Sequence, residues 1–236
     1  MTPLLWRKVT AEAVGTGLLV AVVVGSGIFA QRLSPNDVGL QLLENSTATA
    51  GGLVALILAF GAVSGAHFNP VVSLADRAFG GLTTRELVAY VAAQIVGGCV
   101  GAVVANLMFD LSAITLSTHA RSSSGLWLGE VVATFGLLIV ILGVVRAGRA
   151  TAAPFAVAGY IAAAYWFTSS TSFANPAVTI GRTLTDTFAG IKPSSAPAFV
   201  AAQLVGGVVA IGLARFLFPA LPAADLVVPH EPAEAT

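Results

Sequence analysis

Six long apolar stretches, separated by turn-rich breaks, constrain the fold of this chain more than any other feature of its sequence. A helix of about 20 apolar residues crosses the roughly 30 Å hydrocarbon core of a bilayer. Of the 236 residues, 56% are hydrophobic and 9% are charged, so the expected solvent is lipid. The sequence therefore predicts an all-α membrane protein with spanning helices at about residues 9–30, 48–65, 86–109, 126–147, 152–170 and 197–218.

The distribution of basic residues predicts the orientation of these spans. An even number of spans places both termini on the same side of the membrane. The basic residues on that side are Arg7, Lys8, Arg77, Arg85, Arg146, Arg149 and Arg215. Fewer lie on the opposite side, namely Arg32, Arg121, Arg182 and Lys192. Because Lys and Arg accumulate in cytoplasmic loops, we expect both termini in the cytoplasm.

Three landmarks recur in the same order in the two halves of the chain: a glutamate in an apolar helix, an Asn-Pro dipeptide, and a glutamine in the text VAAQ. They are Glu12, Asn69 and Gln94 in the first half and Glu130, Asn175 and Gln203 in the second. Each half holds three spans, and an odd number makes the second copy enter the membrane from the opposite face. The sequence thus predicts two inverted repeats, 1–110 and 111–218, followed by a flexible tail at 219–236 with no assigned function.

Each repeat also contains a segment that is apolar enough to enter the membrane but too short to cross it, at about 69–80 and 175–186. Asn is a preferred helix N-cap and Pro is preferred at the next position, so both segments are predicted to be re-entrant half-helices. Capping uses the Asn oxygen and leaves its NH₂ group to donate, beside the positive end of the helix dipole. The predicted central constriction consists of Asn69, Pro70, Val71, Asn175, Pro176 and Ala177.

Two such half-helix ends near the midplane offer donors to a passing water oxygen and a barrier to cations and protons. The sequence therefore predicts a passive channel for small uncharged solutes and water. The text SGAHFNPVVSLA around Asn69 and SFANPAV around Asn175 resembles the two signature loops of the major intrinsic protein family, the aquaporins and aquaglyceroporins. The resemblance covers about residues 8–218. It implies a six-helix bundle in the lipid bilayer and a homotetramer with one pore in each subunit.

The resemblance also implies roles for polar residues outside the Asn-Pro pairs. Glu12 and Glu130 match buried glutamates that brace the two extended loops, and His67 matches a residue at the cytoplasmic pore mouth. The first motif reads Asn-Pro-Val where the family usually has Asn-Pro-Ala. Since the cap and the Pro are kept, we expect little effect of Val71 on the constriction.

The selectivity filter departs further from the usual family pattern. The position two residues after the second Pro usually holds an arginine, and here it is Val178. The position twenty residues before Asn69 is usually aromatic in water channels, and here it is Thr49. The filter position that the loop contributes, three residues before Asn175, falls on Ser172. The fifth-span member stays open, because ungapped counting gives Ala163, whereas a gap gives Tyr165 or Trp166.

A filter of Thr, Ser and Val is wide and lacks the usual fixed charge, so larger neutral solutes are expected to pass. Undissociated arsenite resembles a polyol in size and in its hydrogen-bond donors. The set of filter residues, with no arginine at position 178, also resembles a bacterial subgroup of the family that is associated with arsenic resistance. We therefore expect a bacterial inner-membrane channel for arsenite or methylated arsenicals and polyols such as glycerol. A water-selective aquaporin is the alternative, because Arg182, one turn beyond Val178, or Trp166 would narrow the pore.

Other classes of protein fit the sequence less well. An ion-coupled secondary transporter usually needs an ion or proton site at the midplane, and the acidic residues within spans, Glu12 and Glu130, are assigned to bracing. His67, His119 and His230 lie far apart in sequence and show no metal-ligand spacing, which predicts no enzyme, no metal and no cofactor. The net charge of zero gives no reason to expect nucleic acid as a partner.

Overall fold

The computed structural model describes residues 4–218, and the predicted tail lies outside this range. Within it the chain forms eight α-helices and no β-strand. These are α1 (Leu5–Leu33), α2 (Val38–Ser64), α3 (Pro70–Ala78), α4 (Thr84–Met108), α5 (Ser124–Arg146), α6 (Ala153–Phe167), α7 (Pro176–Gly181) and α8 (Ala196–Leu217). A 3₁₀ turn precedes α6 at Ala150–Ala152, and another extends α7 at Arg182–Leu184.

Six of the helices are long and apolar enough to span a bilayer, which confirms the predicted number. They are α1, α2, α4, α5, α6 with its 3₁₀ turn, and α8. The half-helices α3 and α7 complete the two inverted repeats, in which α5 to α8 correspond to α1 to α4. Both half-helices are shorter than the sequence predicted, since α3 ends at Ala78 and α7 passes into a 3₁₀ turn after Gly181.

The start of α2 differs from the prediction by about ten residues, because its first turns are too polar for a hydropathy argument. These polar side chains are buried and bind α1 and the turn that follows it. Gln41 donates to the Ser34 carbonyl at 2.7 Å, and Asn45 donates to the Val23 carbonyl at 2.8 Å. Asp37 caps the helix by accepting from the Leu40 N–H.

Glycines allow the paired spans to contact each other backbone to backbone. A Cβ at Gly97 of α4 would overlap the Ala13 carbonyl of α1. In the second repeat, a Cβ at Gly206 of α8 would overlap the Val131 carbonyl of α5. Small residues of this kind permit close packing of helices in membranes, where hydrophobic burial gives no driving force between spans. The close contacts fix α4 and α8, which carry the two landmark glutamines.

Candidate pore

The two half-helices begin with matching caps. The Asn69 Oδ1 accepts from the Val71 N–H at 2.9 Å. The Asn175 Oδ1 accepts from the N–H groups of Ala177 at 3.0 Å and Val178 at 3.2 Å. In both cases the Pro occupies the first helical position, where no N–H is required. The positive ends of both helix dipoles therefore lie beside the two asparagines.

The asparagine amides also tie the two half-helices to each other. The Asn69 Nδ2 donates to the Ala174 carbonyl at 2.7 Å, and the Asn175 Nδ2 donates to the Phe68 carbonyl at 2.7 Å. The sequence predicted a fully available amide, whereas the structure uses one of its two protons in this crossed pair of bonds. Both asparagines line the central cavity, so the second proton of each amide is placed to serve a permeating molecule.

The loop before α3 is held by the buried carboxylate of Glu12. It accepts hydrogen bonds from the His67 N–H at 2.9 Å and the Phe68 N–H at 2.7 Å. It also accepts from the Ser64 hydroxyl at 2.6 Å and the Gln94 amide at 2.7 Å. The loop needs such an anchor because Phe68 has a positive φ of 49°, a conformation that is costly for a residue with a side chain.

Glu130 makes the same arrangement in the second repeat. Its carboxylate accepts from the Phe173 and Ala174 N–H groups, each at 2.9 Å, and from the Gln203 amide at 2.5 Å. Gln203 also donates to the Thr179 hydroxyl in α7 at 2.8 Å. The glutamines were recognised in the sequence only as repeat landmarks. Their recurrence at a fixed place in each repeat was the signal for their contact with the glutamates.

A cavity lies where the two half-helices meet and is lined by both repeats. The spans contribute an apolar surface that includes Leu19, Val23, Ile57, Leu137, Ile141 and Val157. The loops contribute the polar groups, among them His67, Asn69, Ser172 and Asn175. About 60 Å³ is open to water-sized molecules. Because one water needs roughly 10–15 Å³ by this measure, the cavity holds a short file of waters or a small solute.

Part of the predicted constriction lies behind the cavity surface. These residues are Pro70, Val71, Pro176 and Ala177, which are buried but do not line the cavity. Val72 and Val178, each three residues beyond its Asn, line it instead. The Val71 side chain points at α8, where a Cβ on Gly207 would overlap its Cγ1. Gly207 thus gives Val71 room outside the pore.

The cavity is lined by the predicted filter residues Thr49, Ser172 and Val178 and by Tyr165, which we together call the filter set. The Thr49 and Tyr165 hydroxyls are 3.2 Å apart and share a hydrogen bond. The Ser172 hydroxyl is buried and has no hydrogen-bond partner within residues 4–218. Of the three fifth-span candidates, Tyr165 is the one that lines the cavity, together with Val157 and Ile161 of the same helix.

The other two candidates from α6 face away from the cavity. Ala163 is exposed on the outside of the bundle. Trp166 is 52% exposed, and its indole N–H donates to the Ser46 hydroxyl at 3.3 Å. Neither side chain lines the cavity, so Trp166 does not narrow it.

Arg182 lines the same cavity as Val178, so the cavity surface includes an arginine although position 178 does not hold one. Its side chain is 2% exposed, and its Nε donates to the Ala189 carbonyl. The guanidinium carbon lies 3.4 Å from the ring centre of Phe173. Helical side chains lean towards the N-terminus of their helix, which is consistent with an Arg182 side chain that lines the cavity.

His67 lines the cavity through the first loop. Its Nδ1 lies 3.0 Å from the Ser73 hydroxyl, and its ring packs edge to face on Tyr90 with centroids 5.4 Å apart. Both contacts limit the orientations of the ring. His67 is thus fixed at the cavity surface by α3 and α4.

A bundle of six spans around a cavity at which two capped half-helices meet defines a multi-pass membrane channel. Residues 1–165 match the family model described as major intrinsic protein. The chain belongs to the major intrinsic protein family, whose members are passive channels and not enzymes.

Individual relatives agree with this assignment. The chain is 51% identical over 219 residues to aquaglyceroporin AqpS of Rhizobium meliloti strain 1021, with 92% of this chain and 93% of that protein covered. It is 30% identical over 245 residues to the probable aquaporin AqpM of Archaeoglobus fulgidus, with 92% and 99% covered. A crystal structure of the aquaglyceroporin from Plasmodium falciparum shares the fold, with a TM-score of 0.67, 20% identity, and 92% and 98% of the two chains covered.

Proposed function

We propose that this protein is an aquaglyceroporin of a bacterial inner membrane. It passes small uncharged hydroxylated solutes down their gradients, including glycerol, undissociated arsenite and methylated arsenicals. The identity of 51% to an aquaglyceroporin over most of both chains supports this proposal. We also propose that both termini are cytoplasmic, as the basic residues indicate, and that the protein is a homotetramer.

The observation that carries the proposal is a cavity surface that combines apolar side chains, mainly from the spans, with polar groups, mainly from the loops. A polyol has carbon–hydrogen surface as well as hydroxyls, and this cavity offers a partner to both. The amides of Asn69 and Asn175 supply donors to the hydroxyl oxygens.

The filter set supports passage of solutes larger than water. Val178 is short and apolar, and it occupies the position at which the family pattern usually has an arginine. Ser172 presents a buried hydroxyl without a partner among the described residues, which suits a solute that brings its own hydroxyls. As(OH)₃ and glycerol both carry three such groups, so we propose that one site serves both.

A water-selective channel is the second candidate, and two observations favour it. Arg182 occupies part of the cavity next to Val178. The hydrogen bond between Thr49 and Tyr165 also draws two walls of the filter set together. The two candidates differ in one measurable property, namely the ratio of solute permeability to water permeability.

The experiment that tests the proposal is stopped-flow light scattering on proteoliposomes with water, glycerol and arsenite, against empty vesicles. We expect rapid flux of both solutes, and we expect Val178→Arg to reduce solute flux at least tenfold while water still passes. Val178→Ala is the matched control, since it removes bulk without adding charge and should keep solute flux. Unchanged solute flux in Val178→Arg would refute the wide-filter argument, and fast water flux with solutes excluded from the wild type would establish the second candidate.

A further inference from the structure

We infer that Arg182 is the charge-selective residue of this pore, and that it admits neutral solutes while it excludes cations of the same size and shape. This inference deepens the proposed function and depends on it for the route of permeation. It assigns the charge that selects against cations to Arg182, in the turn after α7, and gives Val178 no part in charge selection. The cavity surface then carries a positive charge while position 178 holds a short apolar side chain.

Arg182 lines the cavity and has no carboxylate within 4 Å among residues 4–218. Among residues 4–218, the one ion pair with nitrogen and oxygen within 4 Å of each other joins Lys8 and Glu86. It lies near the start of α4, and neither residue lines the cavity. Of the guanidinium nitrogens, Nε donates to the Ala189 carbonyl, and no other hydrogen bond of this group is formed within the described residues. A buried cation without a carboxylate partner is costly unless water or solute solvates it. The cavity is the place from which that solvation comes.

The position of the guanidinium is fixed by its surroundings. Phe173 supports it from one side, with the ring centre 3.4 Å from the guanidinium carbon. The Phe173 ring is itself held by Phe199, edge to face at 5.2 Å, and its backbone N–H is bound by Glu130. A fixed charge discriminates more strongly than a mobile one, because it does not relax away from an approaching cation.

A second arginine gives an internal comparison. Arg121 also lies over Phe173, at 5.1 Å, and donates from its Nε to the Gly190 carbonyl at 3.0 Å, next to the carbonyl that Arg182 binds. Burial lowers the pKa of the Arg121 guanidinium. Unlike Arg182, however, Arg121 does not line the cavity. The two arginines thus share ring and loop contacts and differ in access to the permeating molecule.

Urea and the guanidinium ion are suitable probes, since they are planar, nearly equal in size and differ in charge. A cation about 5 Å from a fixed guanidinium is disfavoured roughly 4-fold at the dielectric constant of water and over about 100-fold at an effective value near 20. The half-helix dipoles at Asn69 and Asn175 add to the barrier in every variant. The ratio of guanidinium uptake to urea uptake, measured with radiolabelled solutes in proteoliposomes, therefore isolates the part due to Arg182.

We expect wild-type vesicles to take up urea and to exclude guanidinium at the level of empty vesicles. Arg182→Gln should raise the guanidinium-to-urea ratio by about tenfold or more. Arg182→Lys should keep the low ratio because it keeps the charge, and Arg121→Gln should keep it because that side chain lies outside the cavity. Urea uptake in each variant reports that the pore is assembled.

Two results would overturn the inference. One is a guanidinium-to-urea uptake ratio in Arg182→Gln that stays within twofold of the wild-type ratio. The other is an equal rise of this ratio in Arg121→Gln, which would show that the effect comes from the loop that both arginines bind. Glycerol and arsenite flux in the wild type tests the proposed function separately. If those fluxes are absent while guanidinium uptake still rises in Arg182→Gln, the proposed function fails and the assignment of Arg182 stands.

Discussion

Replacing Glu12 with Gln should destabilise the first re-entrant loop, because the carboxylate is completely buried and four donors point at it. One oxygen accepts from Ser64 and His67, and the other accepts from Phe68 and Gln94. Gln is nearly isosteric but has a single acceptor oxygen. With its NH₂ group towards Ser64 and His67, the Ser64 hydroxyl can turn to accept from it, and the His67 N–H loses its bond to residue 12. The opposite orientation places the NH₂ group against the Phe68 N–H and the Gln94 amide, and both of those hydrogen bonds are lost.

The magnitude follows from the number of donors left without an acceptor. In the better orientation one backbone donor loses its acceptor, which costs about 1–3 kcal/mol. Removal of the buried charge offsets part of this cost. We expect a loss of about 2 kcal/mol, and at roughly 2–4 °C per kcal/mol for a chain of this size the melting temperature should fall by about 4–8 °C.

The assay is thermal unfolding of the purified protein in detergent, followed by glycerol flux in proteoliposomes. Glu130→Gln is the matched variant, since Glu130 accepts from Phe173, Ala174 and Gln203 in the equivalent place. Both variants should melt earlier and conduct more slowly than the wild type. A melting temperature within about 2 °C of the wild type, with unchanged flux, would show that the carboxylates do not hold the loops and would refute the reasoning.

Two further predictions concern the filter set and the helix contacts. Tyr165→Ala should open the filter set and admit a five-carbon polyol that the wild type excludes, whereas Trp166→Ala, on the outer face, should leave the size limit unchanged in a light-scattering assay. Gly97→Ala should lower the melting temperature, because its Cβ overlaps the Ala13 carbonyl and overpacking costs about 1–3 kcal/mol. Gly212→Ala, whose Cβ meets nothing within 4 Å, should not lower it, and an equal loss in the two glycine variants would contradict this reading.

The features that the sequence predicts correctly are those with a local cause. An Asn followed by Pro caps a helix through atoms of the next few residues, so the starts of α3 and α7 could be located exactly. The six spans follow from lipid as the solvent, because each must be long and apolar. The start of α2 was missed because its polar turns are buried by α1, which is a tertiary effect.

The features that the sequence does not predict depend on how a helix is rotated about its own axis. A shift of one residue turns a side chain by about 100°, which is why Val72 lines the cavity and Val71 packs on α8. The choice of Tyr165 over Ala163 depends in the same way on how α6 is turned towards the cavity. Neither orientation has a signature within the segment itself, since it is set by the neighbouring helices.

Val178 and Arg182 are best understood as one arrangement. An arginine at position 178 would begin its side chain at the level of the filter set and would project across it. Arg182 begins four residues later, about 6 Å along the helix, and its side chain also lines the cavity. Its guanidinium lies against Phe173. Under the proposed function, this displacement would keep a positive charge at the cavity surface and would leave the cross-section at position 178 to a short side chain, and a pore for bulky neutral solutes needs both properties together.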